Sequence, residues 1–319
     1  MLWGLQCLLS NAQKNKYAVG AFNVNSFAFA DAFIKAAEEA NSPLILQFSP
    51  GVLRTFKDSN VIEACASIAQ DSEVPVCIHL DHAKSIDDLK LALQYHFFQS
   101  FMIDGSRYPL KENIQLTKDA IHLLEATLSS ESPPYDDLSF ELFDTYKQDL
   151  AADMKSFAIE AEIGHVGTTS QDLSSDTLVN DVLTFASSVD IDALAISIGN
   201  THGESDRETN LNIPLLTTIR KSVSVPLVLH GSSGVKPQMI KEAISNGITK
   251  VNVNTYFKNS LADQIIAEYG IHGKEFFTDY KLFHPVIHST LKAKAKEMFQ
   301  LLGSVSKVGP SLYPWKKSY

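Results

Sequence analysis

The sequence predicts a (β/α)8 TIM barrel on three observations. Eight short apolar or β-branched runs each end in Gly, Ser, Asn, Asp or His. Amphipathic helical patterns lie between most of them. The beat runs from Tyr17 to Thr255 without a linker-like stretch. Short apolar runs bounded by turn residues read as strands buried on both faces, and regular strand–helix alternation is the pattern of a parallel barrel.

The elements follow in order. The opening MLWGLQCLLSNAQKNKYAVGAF lacks a basic start and a small-residue cleavage site, so it reads as an amphipathic helix before the first strand. YAVGAFNV, PLILQFS, PVCIHLDH and QSFMIDGS are the first four strands. SFAFADAFIKAAEEA, SNVIEACASIAQDS, SIDDLKLALQYH and NIQLTKDAIHLLEATL are the helices after them. SFAIEAEIG, ALAISIGN, PLVLHGSSG and ITKVNVNT complete the barrel. LLTTIRKS precedes the seventh strand, KPQMIKEAISNG the eighth, and STLKAKAKEMFQLLGS is a C-terminal helix. Two segments break the rhythm. The Pro-Pro-bearing acidic stretch at about 129–155 is an insertion with a helix of its own. GHVGTTSQDLSSDT, after the fifth strand, is a polar loop suited to a lid. The expected organisation is one domain over residues 1–319.

Bulk composition narrows the function. A net charge of −10 argues against nucleic acid as the main partner and against anionic membrane surfaces. No apolar run is long enough to cross a bilayer. The three cysteines, Cys7, Cys65 and Cys77, form neither a metal spacing nor an even disulfide set, which suits a reducing compartment. A cytoplasmic protein is expected.

Chemistry in such barrels sits at the C-terminal strand ends. There the sequence places Asn23, Gln47, Ser49, Asp81, His82, Asp104, Ser106, Glu160, Glu162, Asn200 and His202, then His230 to Gly234 and Asn252 to Thr255. Three histidines, His82, His202 and His230, end three different strands. Together they would form a three-nitrogen site with an open fourth position, as in catalytic zinc centres. Asp81 could ligate the metal, orient a ligand or act as a base. His79, three residues before His82, falls on the opposite face by strict alternation and reads as structural. Lys250 reads as opening the eighth strand, at the end of the barrel away from the chemistry. HGSSG after the seventh strand and NVNT after the eighth occupy the phosphate-binding positions of many barrels. Gly231 and Gly234 would allow close backbone approach, and Ser232, Ser233 and Thr255 would add hydroxyls.

AVGAFNVNS, HLDH, MIDGS, EAEIG, GNTHG, VLHGSSG and KVNVNT, in this order, resemble the class II, metal-dependent fructose-1,6-bisphosphate and tagatose-1,6-bisphosphate aldolases. The likeness covers most of the chain outside the insertion and extends weakly into LLGSVSK. It implies a homodimer or homotetramer acting on a phosphorylated sugar. It implies Zn2+ on His82, His202 and His230, with Asp81 as catalytic acid/base. Asp104 and Glu162 match a second or alternative divalent-metal position. Gly203, Gly231, Ser232, Ser233, Asn252, Val253, Asn254 and Thr255 match segments that hold the ketose-phosphate half of the substrate, where backbone carbonyls also hold Na+ or K+. Asn23 and Ser49 match substrate contacts.

The implied reaction is reversible cleavage of fructose- or tagatose-1,6-bisphosphate to dihydroxyacetone phosphate and glyceraldehyde 3-phosphate, with zinc stabilising an enediolate. Two departures bear on the substrate. After THG the family usually carries an aromatic residue and a lysine, and this chain has Glu204, Ser205, Asp206 and Arg207. The lid offers only Asp172 and Asp176 as acids. The alternatives are an aldolase for another phosphorylated ketose and a zinc-binding barrel without aldolase activity. A zinc hydrolase barrel usually draws a His-x-His pair from its first strand, which AFNVNS lacks. An imine-forming aldolase needs a lysine at a strand end.

Overall fold

The computed structural model describes residues 1–128, 157–166, 176–201, 209–270 and 280–309. The insertion, most of the predicted lid, and the THGESDR stretch from His202 onward therefore lie outside the described residues. Eight parallel strands close into a barrel in sequence order, β1 next to β2 and so on around to β8 beside β1. They are β1 Val19–Asn23, β2 Leu44–Phe48, β3 Val76–Ala83, β4 Ser100–Ile103, β5 Ala158–Ile163, β6 Ala193–Ile196, β7 Leu227–Leu229 and β8 Ile248–Val253. All eight runs read from the sequence are strands.

Alternation divides their side chains between two cores. Val19, Ala21, Ile45, Cys77, Met102, Ala158, Ala193, Ala195 and Val228 fill the barrel. Leu5, Leu8, Leu9 and Ala12 of the first helix, Leu5–Asn15, join the same cluster, so that helix plugs the N-terminal end. Their spacing puts them on one helical face. The opposite strand faces pack against the surrounding helices. There Phe22 meets Phe33, Phe257 and Phe299 at ring-centroid distances of 4.7–5.3 Å. The small inward side chains near the bottom leave room, toward the top, for polar residues.

The helices differ from expectation mainly by addition. A short helix, Pro50–Phe56, follows β2, with Pro50 in its first turn and Ser49 as its N-cap, accepting from Val52 N at 3.3 Å. Val179–Ser188 and Thr255–Tyr269 are further helices outside the sequence reading. The C-terminal helix starts earlier than predicted, at Tyr280, and carries Pro285 inside it. It packs on Phe27–Ala40, where Lys292 and Lys296 reach Glu39 at 2.8 and 2.9 Å. No helix among the described residues is long and apolar enough to cross a membrane.

Gly105, after β4, is a packing constraint near the site. A Cβ there would collide with the side chain of Asn113, whose amide donates to the Glu162 carbonyl at 2.8 Å. Gly105→Ala is expected to lower stability by about 1–3 kcal/mol. A thermal melt unchanged from wild type would refute this.

Candidate active site

His230 follows β7 directly and continues its alternation. Val228 faces the barrel interior, so His230 does too. His82 does not follow its strand's alternation. Leu80 pairs with Phe101 and Ala83 with Ile103, so β3 carries one residue more than β4 between these pairs. This is a bulge, and His82 absorbs it with φ +99°. Such a backbone is strained for any residue with a side chain. The bulge turns the imidazole to the barrel mouth beside Asp81.

The same bulge corrects the expectation for His79. Strict alternation put His79 and His82 on opposite faces. In the structure His79 lies inside the barrel beneath His82, fully buried, with Nδ1 2.9 Å from Ser100 Oγ. Burial and then the nearby Lys250 hold its pKa well below the ordinary value, so it is neutral. Lys250 is the second correction. It is the third residue of β8, not an opening residue, and it is fully buried. β8 carries an extra residue against β7, which leaves Lys250 opposite the inward-facing Val228.

Two predicted metal ligands converge. His82 Nε2 lies 2.8 Å from His230 Nδ1 and 3.7 Å from Asp81 Oδ1. On its other side, His82 Nδ1 lies 3.1 Å from Asp104 Oδ2 and 3.9 Å from Glu162 Oε2. Among the described residues two overlapping donor sets result, Asp81–His82–His230 and His82–Asp104–Glu162. Neutral imidazoles and carboxylates are the donors that borderline divalent ions take. Buried oxygens of Glu162 (Oε2), Asn252 (Oδ1), Asn254 (Oδ1) and Gln47 (Oε1) have no hydrogen-bond partner among the described residues. Buried polar atoms without partners are uncommon unless a ligand, ion or water meets them. The residues present therefore fit a divalent metal. His202 and Gly203 lie outside the described residues. Asn200, two residues before His202 in the sequence, donates its side-chain amide to the His230 carbonyl at 3.0 Å.

Asp81 is clamped by amides. Asn23 Nδ2 donates to Oδ2 at 2.9 Å, Gln47 Nε2 to the same oxygen at 3.4 Å, and Asn252 Nδ2 to Oδ1 at 3.1 Å. Burial pushes the Asp81 pKa up, but His82, His230 and Lys250 outweigh it and hold the group below the usual range. Asp81 is thus an ionised acceptor in a fixed orientation. Burial also opposes protonation of His82, yet Asp81, Asp104 and Glu162 raise its pKa to about 10. Glu162 is pushed up to about 8 by burial and then by Asp104. In the metal-free protein the His82 proton holds these acids together. Metal uptake near pH 7 is therefore expected to release at least one proton, and apparent affinity to rise about tenfold per pH unit below pH 10. Calorimetry in buffers of different ionisation enthalpy reads this directly, and no net proton exchange would contradict it.

The remaining predicted contacts surround the same cavity. Asn23, Ser49, Gly231, Ser232, Ser233, Asn252, Asn254 and Thr255 line it. Gly231 takes a left-handed φ of +57°, and Ser232 Oγ donates to the Asn252 carbonyl at 2.6 Å, tying the β7 loop to the end of β8. Val253 is placed differently, with its side chain in the outer core. Three cations without a predicted substrate role, Lys84, Arg107 and Lys258, also stand on the cavity wall. Their signal was position, Lys84 directly after β3 and the other two a few residues past a strand end. Lys250 is not among the cavity-lining residues.

Comparison with known proteins agrees with this architecture. The sequence profile described as fructose-bisphosphate aldolase class-II matches residues 4–129 and 147–307. The crystal structure of the YdjI aldolase from Escherichia coli K12 is 30% identical, with 97% of this chain and 100% of that chain covered at a TM-score of 0.77. A provisionally assigned fructose-1,6-bisphosphate aldolase from Coccidioides immitis is 24% identical over 94% of this chain and 96% of its own, with a TM-score of 0.77. The fructose-bisphosphate aldolase from Campylobacter jejuni is 21% identical over 96% and 97%, with a TM-score of 0.70. The last two likenesses bear on the fold. The profile spans both sides of the insertion and takes in every strand of the barrel, and by that match the chain belongs to the class II fructose-bisphosphate aldolase family.

Proposed function

We propose that this metal-dependent aldolase cleaves a ketose 1,6-bisphosphate reversibly to dihydroxyacetone phosphate and glyceraldehyde 3-phosphate, working as one barrel domain. The observation that carries the reading is the convergence of His82 Nε2 and His230 Nδ1 beside the clamped Asp81 carboxylate. In this reading His82, His230 and His202 hold zinc, and Asp104 and Glu162 offer an alternative position for a divalent ion. His202 stands two residues beyond Asn200 in the sequence. Asn200 is bonded to the His230 carbonyl.

A bound divalent ion supplies Lewis-acid polarisation of the substrate carbonyl. The protein's own groups do the rest. Asp81 accepts the proton of the substrate hydroxyl next to the scissile carbon–carbon bond. Asn23, Gln47 and Asn252 prevent its carboxylate from rotating away, while His82, His230 and Lys250 keep it charged. The β7 and β8 loops, with the Gly231 turn, Ser232, Ser233 and Thr255, hold the phosphate next to the ketose carbonyl through backbone amides and hydroxyls. Asn252 serves both tasks, since its backbone carbonyl in β8 accepts from Ser232 of the β7 loop and its side chain donates to Asp81.

Purified protein offered fructose- and tagatose-1,6-bisphosphate is expected to release triose phosphate, and chelation to stop it. Activity that survives chelation but is lost on borohydride treatment with substrate would refute the metal mechanism. Zinc-loaded protein inert toward both sugars would move the substrate to another phosphorylated ketose.

A further inference from the structure

Beneath the site lies a buried polar layer that no step above uses. Glu160, on β5, is fully buried, and its Oε1 lies 2.8 Å from His230 Nε2. Lys250 Nζ lies 3.0 Å from Glu160 Oε1 and 2.8 Å from Oε2. His79 Nε2 is 3.5 Å from the same Nζ, and its Nδ1 meets Ser100. A lysine and a glutamate in a barrel interior are costly to bury unless paired and hydrogen-bonded. Hydrophobic residues of similar volume would fill the space with less desolvation.

We propose that the Glu160–Lys250 pair is a positioning device that fixes the tautomer of His230, so that Nδ1 is the nitrogen presented to the metal. A carboxylate paired with an ammonium only accepts hydrogen bonds. His230 Nε2 must then carry the proton it shares with Glu160, and the Nδ1 lone pair points at His82 Nε2. Lys250 Nζ reaches both Glu160 oxygens, and His79 Nε2 stands 3.5 Å from the same Nζ as a further acceptor. The metal-side nitrogens then differ by residue, Nε2 on His82 and Nδ1 on His230. Each imidazole is oriented through its other nitrogen, His82 by Asp104 and His230 by Glu160.

This inference rests on His230 being a metal ligand. Its first test needs no variant. In metal-free wild-type protein labelled with 15N-histidine, long-range proton–nitrogen correlation is expected to show His230 protonated at Nε2 and bare at Nδ1. The opposite tautomer would overturn the proposal. The second test compares two double variants that both remove the charges, Glu160→Gln with Lys250→Met and Glu160→Leu with Lys250→Met. They differ in whether an acceptor faces His230 Nε2. The glutamine variant is expected to bind cobalt or zinc within a few-fold of wild type, and the leucine variant about 10- to 100-fold more weakly, the range for losing an outer partner of a metal-bound histidine. Equal affinities would overturn the proposal, and the wild-type tautomer decides if either variant fails to fold. His230→Ala binding metal as tightly as wild type would instead sink the ligand assignment.

Discussion

Asp81→Ala is expected to keep its metal and to lose about two to four orders of magnitude in kcat, the usual contribution of a positioned general base. The two halves of this prediction come from different contacts. Asp81 lies 3.7 Å from His82 Nε2 and spends its oxygens on Asn23, Gln47 and Asn252, so the imidazoles can hold a metal without it. The substitution leaves three amide donors without their acceptor, and a stability loss of about 1–3 kcal/mol should accompany it. Bound-metal analysis and turnover on the same preparation separate the roles. Loss of metal together with activity would reassign Asp81 as a ligand. Turnover within a few-fold of wild type would remove it from the chemistry.

His202→Ala is expected to do the reverse, losing metal first and activity as a consequence. A site with three protein ligands and one open position has no ligand to spare. Affinity should fall by more than about a hundredfold, beyond the usual loss for an outer partner. Added zinc at high concentration should restore part of the turnover. Asn200 makes this the informative ligand to test, because its amide ties the segment just after β6 to the His230 backbone. Metal content equal to wild type would leave His82, His230 and a carboxylate as the ligand set. Glu162 and Asp104 would then be the next positions to examine.

Much of the fold was legible because parallel barrel strands are buried on both faces. Each therefore appears as an uninterrupted apolar run, and PLILQFS or ALAISIGN can be recognised without knowing what packs on it. His230 was legible for the same reason, since it continues the alternation of its strand. The short helix after β2 was not, because Pro50 and Gly51 read as loop residues. Pro50 instead starts the first helical turn, and the Ser49 side chain caps it. Lys84, Arg107 and Lys258 were not assigned to the site because a cation shortly past a strand end, whether in a loop or in the first turn of a helix, looks the same whether it faces solvent or a cavity.

The sequence alone determined the order of the strands, the end of the barrel that carries the chemistry, and the residue types gathered there. Local pattern suffices for these, because each strand's burial and each turn's glycine are properties of a few neighbouring residues. Tertiary structure decided the rest. Alternation assigns His82 to the wrong face, and the misfit is resolved by an extra residue in β3 that exists only relative to β4. Lys250 and Glu160 stand 90 residues apart, and nothing near either announces the other. Which nitrogen of His230 faces the site follows from that pairing, a contact across the barrel that closure of the sheet creates.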